Sequence, residues 1–335
     1  TVELAGDKPL LTALLLNIVC ALIFCSAFGV GSVMAIGMIV LPIMFSLGIG
    51  KKTAVGAYML AVASGMYLNI AYVSQFFAVF PNIQYDGKYI HFAVIATVVS
   101  VVIMIAFIVF NYLRQGKSRA FAAASKVEAK QLPWYCMIVP FVPIIMVAFF
   151  SWQPVPSFLL GIFLGLLFTR NMTSYSKAVE KVQKTLYDGV ADSGLLIGML
   201  YGVNIFQAAA KEVAPILQNL LGGIIPQSPI VLLIVFCIIA PAALFRGPLM
   251  IWGSGIALAS ILQAMGSFTE PYLFMLFLVP PVAIVASACP TQSWTMWALS
   301  YAKLDPKTYI KTNLPWGWLA CVIIQIIGYL TYSIV

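Results

Sequence analysis

The sequence predicts an all-α protein that crosses a lipid bilayer several times. Of its 335 residues, 62% are hydrophobic and only 8% are charged, and long apolar runs follow one another through the chain. The mean hydropathy of +1.03 leaves too few polar residues to cover the surface of a soluble domain. About 20 helical residues cross the hydrocarbon core of a bilayer, so most of these runs are long enough to span it. We therefore expect a multi-pass protein integral to the cell (inner) membrane.

Several of the apolar segments are interrupted midway by Gly, Pro or polar residues, as in "ASGMYLNIAYVSQ" and "VPPVAIVASACPTQSW". Such breaks are tolerated in hydrocarbon only where protein or a water-filled cavity receives the freed backbone groups. Two of the segments are therefore predicted to be broken transmembrane helices, 54–80 and 271–300. The full set of apolar segments is 10–28, 32–49, 54–80, 91–113, 133–150, 155–169, 190–218, 228–245, 249–265, 271–300 and 315–333.

The basic residues predict the orientation of these segments. Lys and Arg collect in four loops, at 51–52, 114–130, 170–184 and 303–311. Cytoplasmic loops carry an excess of Lys and Arg, so these four are predicted to face the cytoplasm and the other loops to face outward. The scheme requires 10–49 and 228–265 each to enter and leave the membrane on the same side. Each pair is either two full spans or a re-entrant hairpin, and the short turns favour a hairpin tip buried in protein.

The two hairpins resemble each other. Shifting the sequence by 216 residues lays "GSVMAIGMIVLPIMFSLGIGKKTAVGAYML" over "GPLMIWGSGIALASILQAMGSFTEPYLFML", with seven identities in thirty positions and a shared GxxMxxG. The alternative reason for the glycines is close helix packing in lipid. The loop charges give the two hairpins opposite orientations, and two similar units of opposite orientation describe an inverted repeat.

This repeat divides the chain into three parts. Residues 1–113 form the first repeat, 114–132 a cytoplasmic linker, and 133–335 the second repeat. The second repeat has three elements before its hairpin, at 133–150, 155–169 and 190–218, for which the first has no counterpart. We expect the matching helices to lie upstream of this chain.

Polar residues at the hairpin turns and breaks are the candidate binding residues. Half-helix N-termini present free N–H groups and a partial positive charge, which suit a carboxylate. The alternative for each Ser or Thr is a hydroxyl bonded to its own helix backbone. The candidates are Ser26, Gly31 and Ser32 at the first turn; Asn69, Ser74 and Gln75 on the first broken helix; Arg246 and Gly247 at the second turn; Thr291, Gln292 and Ser293 on the second broken helix; and Asn204 on segment 190–218.

Arg246 is the most informative of these residues, because it stands inside the apolar run "FRGPLMIWGSG". An arginine at mid-depth costs at least ~2.5 kcal/mol on insertion scales and is normally retained for a partner or a substrate. Its planar fork matches a carboxylate bidentately. Three partners remain open: a substrate carboxylate, phosphate headgroups reached by snorkelling, and the carboxylates of Glu212 or Glu270.

Two stretches carry a resemblance to a known family. The Gly- and Ser-rich turn followed by "LPIMFSLGI" and a broken helix resembles the ion transporter superfamily, and "CPTQSWTMWALSYAKL" resembles the final broken helix of citrate-type permeases. The resemblance covers roughly residues 10–80 and 190–335. It implies an elevator-type symporter for small organic anions, a homodimer, with substrate held between two hairpin tips and two broken helices.

The expected function is therefore ion-coupled symport of a small organic anion, such as a di- or tricarboxylate or a sugar acid. A Na⁺/H⁺ antiporter or a TRAP-type membrane subunit of the same superfamily is the alternative. The sequence contains no HExxH, GxSxG or P-loop, so we expect no enzymatic activity and no cofactor besides Na⁺ or H⁺ as the coupling ion. The expected partners are the anion and the bilayer, and no nucleic acid, because the basic residues serve orientation.

Overall fold

The computed structural model describes residues 8–115, 134–150, 152–169, 174–221 and 226–332, and within them every regular element is helical. Among the described residues, three helices are long and apolar enough to cross a membrane, Gly87–Gln115, Pro229–Arg246 and Pro306–Tyr332. The bent pair Lys51–Met66 and Ile70–Ala78 makes a fourth if it is counted as one span. The chain is thus a helical protein suited to a membrane, as its composition predicts.

The helices are numbered here in chain order, with the shorter helical turns that extend them. They are α1 (Pro9–Phe24), α2 (Val30–Ser46), α3 (Lys51–Met66), α4 (Ile70–Val73, followed by a 3₁₀ turn Ser74–Ala78), α5 (Gly87–Gln115), α6 (Val142–Phe150, preceded by a 3₁₀ stretch Trp134–Phe141), α7 (Pro154–Phe168), α8 (Tyr175–Leu221), α9 (Pro229–Ile239, followed by a 3₁₀ stretch Ala240–Arg246), α10 (Gly255–Met265), α11 (Glu270–Pro280, continued by a π-helical turn Pro281–Ala286), α12 (Ser293–Ala302) and α13 (Pro306–Tyr332).

Both segments with interrupted sequences contain a break. The chain bends by 74° between α3 and α4, where Asn69 accepts a hydrogen bond from the Tyr72 backbone and starts the new helix. In the second segment two adjacent prolines, which lack N–H donors, open a π-helical turn after α11. The helix then stops, and α12 starts at Ser293. The two breaks thus lie within 54–80 and 271–300.

The structure corrects three boundaries. The last span was expected at 315–333 after a loop at 303–311, but α13 already starts at Pro306 and continues through Pro315. A loop was expected at 170–184 before a span at 190–218, but α8 is one continuous helix of 47 residues from Tyr175 to Leu221. Lys, Glu, Gln and Leu are strong helix formers, so this basic stretch continues the helix instead of interrupting it. In the second hairpin the return helix starts at Gly255 instead of 249, because residues 247–254 form consecutive turns. Most of the expected linker, 116–132, lies outside the described residues.

Side-chain contacts define two opposite ends of the bundle. At one end, Gln115 at the close of α5 accepts from the Gly50 N–H and donates to the Gly48 carbonyl, beside the lysines that start α3. At the other end, Asn82 donates to Glu270, and the ammonium of Lys88 lies 5.3 Å from the ring of Tyr332. The first end gathers loops predicted to be cytoplasmic, and the second gathers loops predicted to be external.

The core lies between the two broken helices and the long helices α5 and α13. The α3 helix packs against α1, α5, α13 and the π-helical turn, and α11 packs against α13. Its largest fully buried side chains are aromatic, and they include Tyr58, Phe92, Phe107, Phe274 and Phe277. The two breaks are therefore held in one packed unit.

Candidate functional site

The first hairpin turn is joined to the first break by Asn69. Its side-chain amide donates to the carbonyls of Phe24 and Ala27, each at 2.9 Å, and its oxygen accepts from the Tyr72 N–H at 3.1 Å. These carbonyls have lost their helical partners at the end of α1, and Asn69 satisfies them in a fully buried position. Asn69 was expected to bind substrate, and in the structure its side-chain amide forms hydrogen bonds that hold the first turn against the first break.

The second hairpin turn is joined to the second break through Cys289. The Phe245 N–H lies 3.4 Å from the Cys289 sulfur, which lies 3.1 Å from the hydroxyl of Thr291. Phe245 and Arg246 adopt left-handed backbone angles, with φ of 55° and 61°. Such angles are strained for residues other than glycine and concentrate at functional sites. Gly29, which the 216-residue shift places over Phe245, also has a positive φ, of 99°.

The second turn folds back on itself. The Arg246 carbonyl accepts from the Ser254 N–H at 3.0 Å, and the Met250 carbonyl accepts from the N–H groups of Gly253 and Gly255. A side-chain carbon at Gly253 would collide with the backbone of Arg246, and one at Gly247 with the Ala242 carbonyl. Two glycines of the second GxxMxxG are therefore required by this turn.

A row of aromatic rings connects the two turns. Phe28 lies 5.6 Å from Tyr72, Tyr72 lies 5.4 Å from Phe76, and Phe76 lies 5.5 Å from Trp252, measured between ring centroids. Phe28 belongs to the first turn and Trp252 to the second. The turns therefore adjoin one aromatic cluster at the first break, and Ser74 and Gln75 lie within the same segment.

Two helix N-termini lie beside these turns. Neither α2, which starts after Gly29, nor α12, which starts after Gln292, has a side-chain cap on its first N–H groups. The two helices pack together, and a side-chain carbon at Gly37 of α2 would touch Trp297 of α12. Uncapped N–H groups and the helix dipole give each start a partial positive charge.

Arg246 adds a full positive charge to this region. Its guanidinium donates from Nη1 to the Trp252 carbonyl at 3.1 Å, and among the described residues no carboxylate pairs with it. Glu270, one of the acids considered as its partner, instead accepts from the backbone and side-chain amides of Asn82. The remaining donors of the guanidinium can therefore bind an added anion.

The other predicted residues lie at the hairpin turns, at the breaks and on α8. Four bond their own helix backbone through side-chain donors: Ser26 to Ile23, Ser32 to Phe28, and Ser74 and Gln75 to Ala71. Thr291, Gln292 and Ser293 form the chain that leads into α12, and Gly31 lies in the first turn of α2. Asn204 lies on α8, and its side chain is outside the described residues.

Sequence reasoning missed Tyr72, Phe76, Trp252 and Cys289. The Trp252 side chain is only 7% exposed, and its indole N–H finds no hydrogen-bond partner in the part of the chain that the structure describes. Aromatic residues in an apolar run look like core or lipid-facing residues, so only their positions flanking the breaks could have indicated this cluster.

The comparisons with known proteins add no relative. No protein-family model matches the chain, and no curated protein matches it.

Proposed function

We propose that the protein is a secondary active transporter, an ion-coupled symporter of a small organic anion such as a di- or tricarboxylate or a sugar acid. The observation that carries this proposal is Arg246, which has no partner carboxylate among the described residues and lies in a strained turn beside a break in a helix. Charged residues at membrane depth are normally retained for function. The transporter would belong to the ion transporter superfamily, work in the cell (inner) membrane and be a homodimer.

An anion is the ligand that this chemistry favours. A guanidinium offers planar paired donors to a carboxylate, and the uncapped starts of α2 and α12 add further N–H donors and partial positive charge. Hydroxyls of Ser26, Ser32 and Thr291 supply acceptor oxygens nearby in sequence, which suit the coupling ion or hydroxyl groups of the substrate. The aromatic row between the turns would line the apolar side of such a site.

An inverted repeat is supported by a contact that occurs once in each half. The Tyr89 hydroxyl donates to the carbonyl of Tyr67, and the Tyr309 hydroxyl donates to the carbonyl of Ser287; each reaches back 22 residues to the end of a broken helix. Tyr89 lies near the start of α5, at the end of the bundle predicted to be external. Tyr309 lies near the start of α13, within residues 303–311, which are predicted to face the cytoplasm. The same contact at opposite ends is what two inverted units would produce, and alternating access would then move one body against the other.

Symport is favoured over cation antiport by the positions of the acids. Helix α8 carries Glu180, Asp188, Asp192 and Glu212, and elsewhere in the described residues the acids are Asp86, Glu270 and Asp305, all at helix starts. Asp86 accepts from the Tyr89 N–H and Asp305 from the Thr308 N–H, each at 2.8 Å. The hydrogen bonds from Thr308 hold the pKa of Asp305 below its usual value, so it stays charged at neutral pH. An antiporter would need acids at mid-depth.

Uptake by proteoliposomes tests the proposal. We expect labelled citrate, gluconate or a C4-dicarboxylate to accumulate when a Na⁺ or H⁺ gradient is imposed, and to stop accumulating when that gradient is collapsed. In Arg246→Ala, affinity for the anion should fall at least about tenfold, because a hydrogen bond to a charged group contributes about 1.5–3 kcal/mol and about 1.4 kcal/mol is a factor of ten.

Arg114→Ala is the matched control. This arginine lies near the C-terminal end of α5, where its guanidinium is placed over the ring of Phe110. The variant should leave anion affinity unchanged. Normal affinity in Arg246→Ala, with a protein that elutes as the wild type does on gel filtration, would make Arg246 an interfacial residue. Absence of uptake for all three anions under every gradient would overturn the symporter itself.

A further inference from the structure

Helix α8 is longer than a membrane span requires. Its 47 residues extend for ~70 Å, whereas a hydrocarbon core is ~30 Å thick. The predicted span 190–218 forms the later part of the helix, so the first part, Tyr175–Gly189, continues beyond it without a break. We refer to this part as the α8 extension. By its basic residues it faces the cytoplasm.

The α8 extension has an apolar side with the spacing of a coiled coil. Tyr175, Val179, Val182 and Leu186 follow at intervals of four, three and four, which are the intervals between a and d positions of heptads. Their side chains are 86%, 43%, 39% and 62% exposed, respectively. Within the described residues, then, nothing covers this apolar stripe.

The charges of the extension lie away from the stripe. On the heptad that the stripe defines, positions next to it hold Ser176, Ala178, Gln183 and Thr185, all uncharged. Of the six remaining positions, on the opposite side, five hold charged residues and one holds Tyr187, and Glu180 and Lys184 stand four residues apart, a spacing that favours an ion pair. The five charged residues are Lys177, Glu180, Lys181, Lys184 and Asp188.

Two occupants of the stripe are disfavoured. The bilayer surface cannot cover it, because an unbroken helix projects away from the membrane instead of lying along it. The chain's own segment 116–133 carries four basic residues and one acid, and the extension carries three lysines and two acids, so their net charges have the same sign and do not favour contact.

We propose that the α8 extension pairs with the same extension of a second copy, as a parallel two-stranded coiled coil on the cytoplasmic side. Two copies in one membrane share an orientation, so identical residues face each other in register. Apolar side chains then meet apolar side chains, and uncharged neighbours flank them, so no like charges oppose each other. Two heptads are short for an isolated coiled coil, and the anchoring of both helices in one bilayer supplies the effective concentration that pairing needs.

Disulfide trapping in membranes tests the pairing. Val182→Cys and Leu186→Cys should form disulfide-linked dimers on mild oxidation, because a residue on the stripe meets its own copy. Lys184→Cys, two residues from each of them and on the charged side, is the matched control and should form at least about fivefold less disulfide-linked dimer, since disulfide geometry is strict. The wild-type chain gives the background from its six native cysteines.

A second pair of variants measures association without oxidation. Leu186→Asp should lower the dimer fraction in dilute proteoliposomes, counted by single-molecule photobleaching, while Lys184→Asp should not. Equal trapping at 182, 184 and 186, or no trapping above background, overturns the proposal. A cross-linked product whose mass differs from twice that of the chain would show that the stripe binds another protein, and it would overturn the proposal as well. None of these outcomes depends on whether the protein transports an anion.

Discussion

Asn69 shows how a polar residue in an apolar protein can be committed to structure. A buried carbonyl without a donor is costly, and the end of α1 exposes two of them at the hairpin turn. The side chain of Asn69 supplies both donors while its oxygen starts α4. Asn69 therefore fixes the conformation of the turn, the position of the break and the distance between them. It shapes the candidate site without binding the ligand itself.

Replacing this side chain should destabilise the protein. In Asn69→Ala the carbonyls of Phe24 and Ala27 lose their donor, at a cost of about 1–3 kcal/mol for each buried group left unsatisfied. We expect a lower midpoint of thermal unfolding, followed by intrinsic tryptophan fluorescence in detergent. Ser26→Ala, whose hydroxyl only bonds the Ile23 carbonyl of its own helix, should change the midpoint little. A shift in Ser26→Ala as large as that in Asn69→Ala would contradict this account.

At this scale the sequence indicated which polar residues stand in apolar segments but could not assign their partners. Asn69 and Arg246 were both predicted from the cost of polar groups in lipid, which is a property of the residue itself. Whether such a group faces a ligand or a carbonyl depends on chain segments that lie far away in the sequence. For Asn69 the partners are 42 and 45 residues distant, and a helical pattern carries no information at that distance.

At the scale of elements, the close approach of α1 and α3 determines the shape of the first hairpin. A side-chain carbon at Gly65 would lie 2.5 Å from the carbonyl carbon of Phe24 and 2.6 Å from the Ala21 oxygen, and both are backbone atoms. Backbone atoms within a helix cannot rotate away as a side chain does. Small residues permit such contacts between membrane helices.

We expect Gly65→Ala to destabilise the protein although alanine favours helix. Overpacking of this kind costs typically about 1–3 kcal/mol, because one helix must shift. The measurement is the fraction of protein that remains monodisperse after heating. Gly87→Ala is the matched control, since a side-chain carbon there would meet nothing within 4 Å. If both variants survive heating as the wild type does, α1 and α3 are farther apart than described.

The existence of the helices followed from the apolar runs, whereas several of their ends did not. Both breaks were predicted because Pro, Gly and amide side chains interrupt long apolar segments. The start of α8 was missed because Lys, Glu and Gln are as common in exposed helices as in loops. The start of α10 was missed because the turns of residues 247–254 depend on backbone contacts between Arg246 and Ser254, and their sequence is as apolar as the helix that follows.

At the scale of the whole molecule, the two ends of the bundle separate the predicted inner and outer loops. Gln115 contacts the loop before Lys51, and Asn82 contacts Glu270 across the two halves. Loop charge predicted this grouping independently of any contact. The contact between Phe76 and Trp252 could not be predicted from the sequence, because each ring belongs to a different half of the chain.

Labelling of single cysteines tests this arrangement. Asn82→Cys should react with a membrane-impermeant maleimide added to intact cells, because its loop is predicted to be external. Lys52→Cys should react only after the membrane is permeabilised. Both positions are exposed in the structure, so accessibility to the reagent differs only through the membrane. Reaction of Lys52→Cys in intact cells, above the wild-type background, would show that its end of the bundle does not face the cytoplasm, and lack of reaction of Asn82→Cys would contradict the external assignment of the other end.

The ties between each hairpin and its neighbouring break limit how a carrier of this design could move. Asn69 fastens one turn, Cys289 contacts the other, and Gly65 leaves no gap through which α1 could slide along α3. Neither turn can move away from its break alone without breaking the hydrogen bonds of Asn69 or the contact with Cys289. In the proposed carrier, transport of the anion would require both hairpin turns and both broken helices to move together, as one rigid body relative to the other helices.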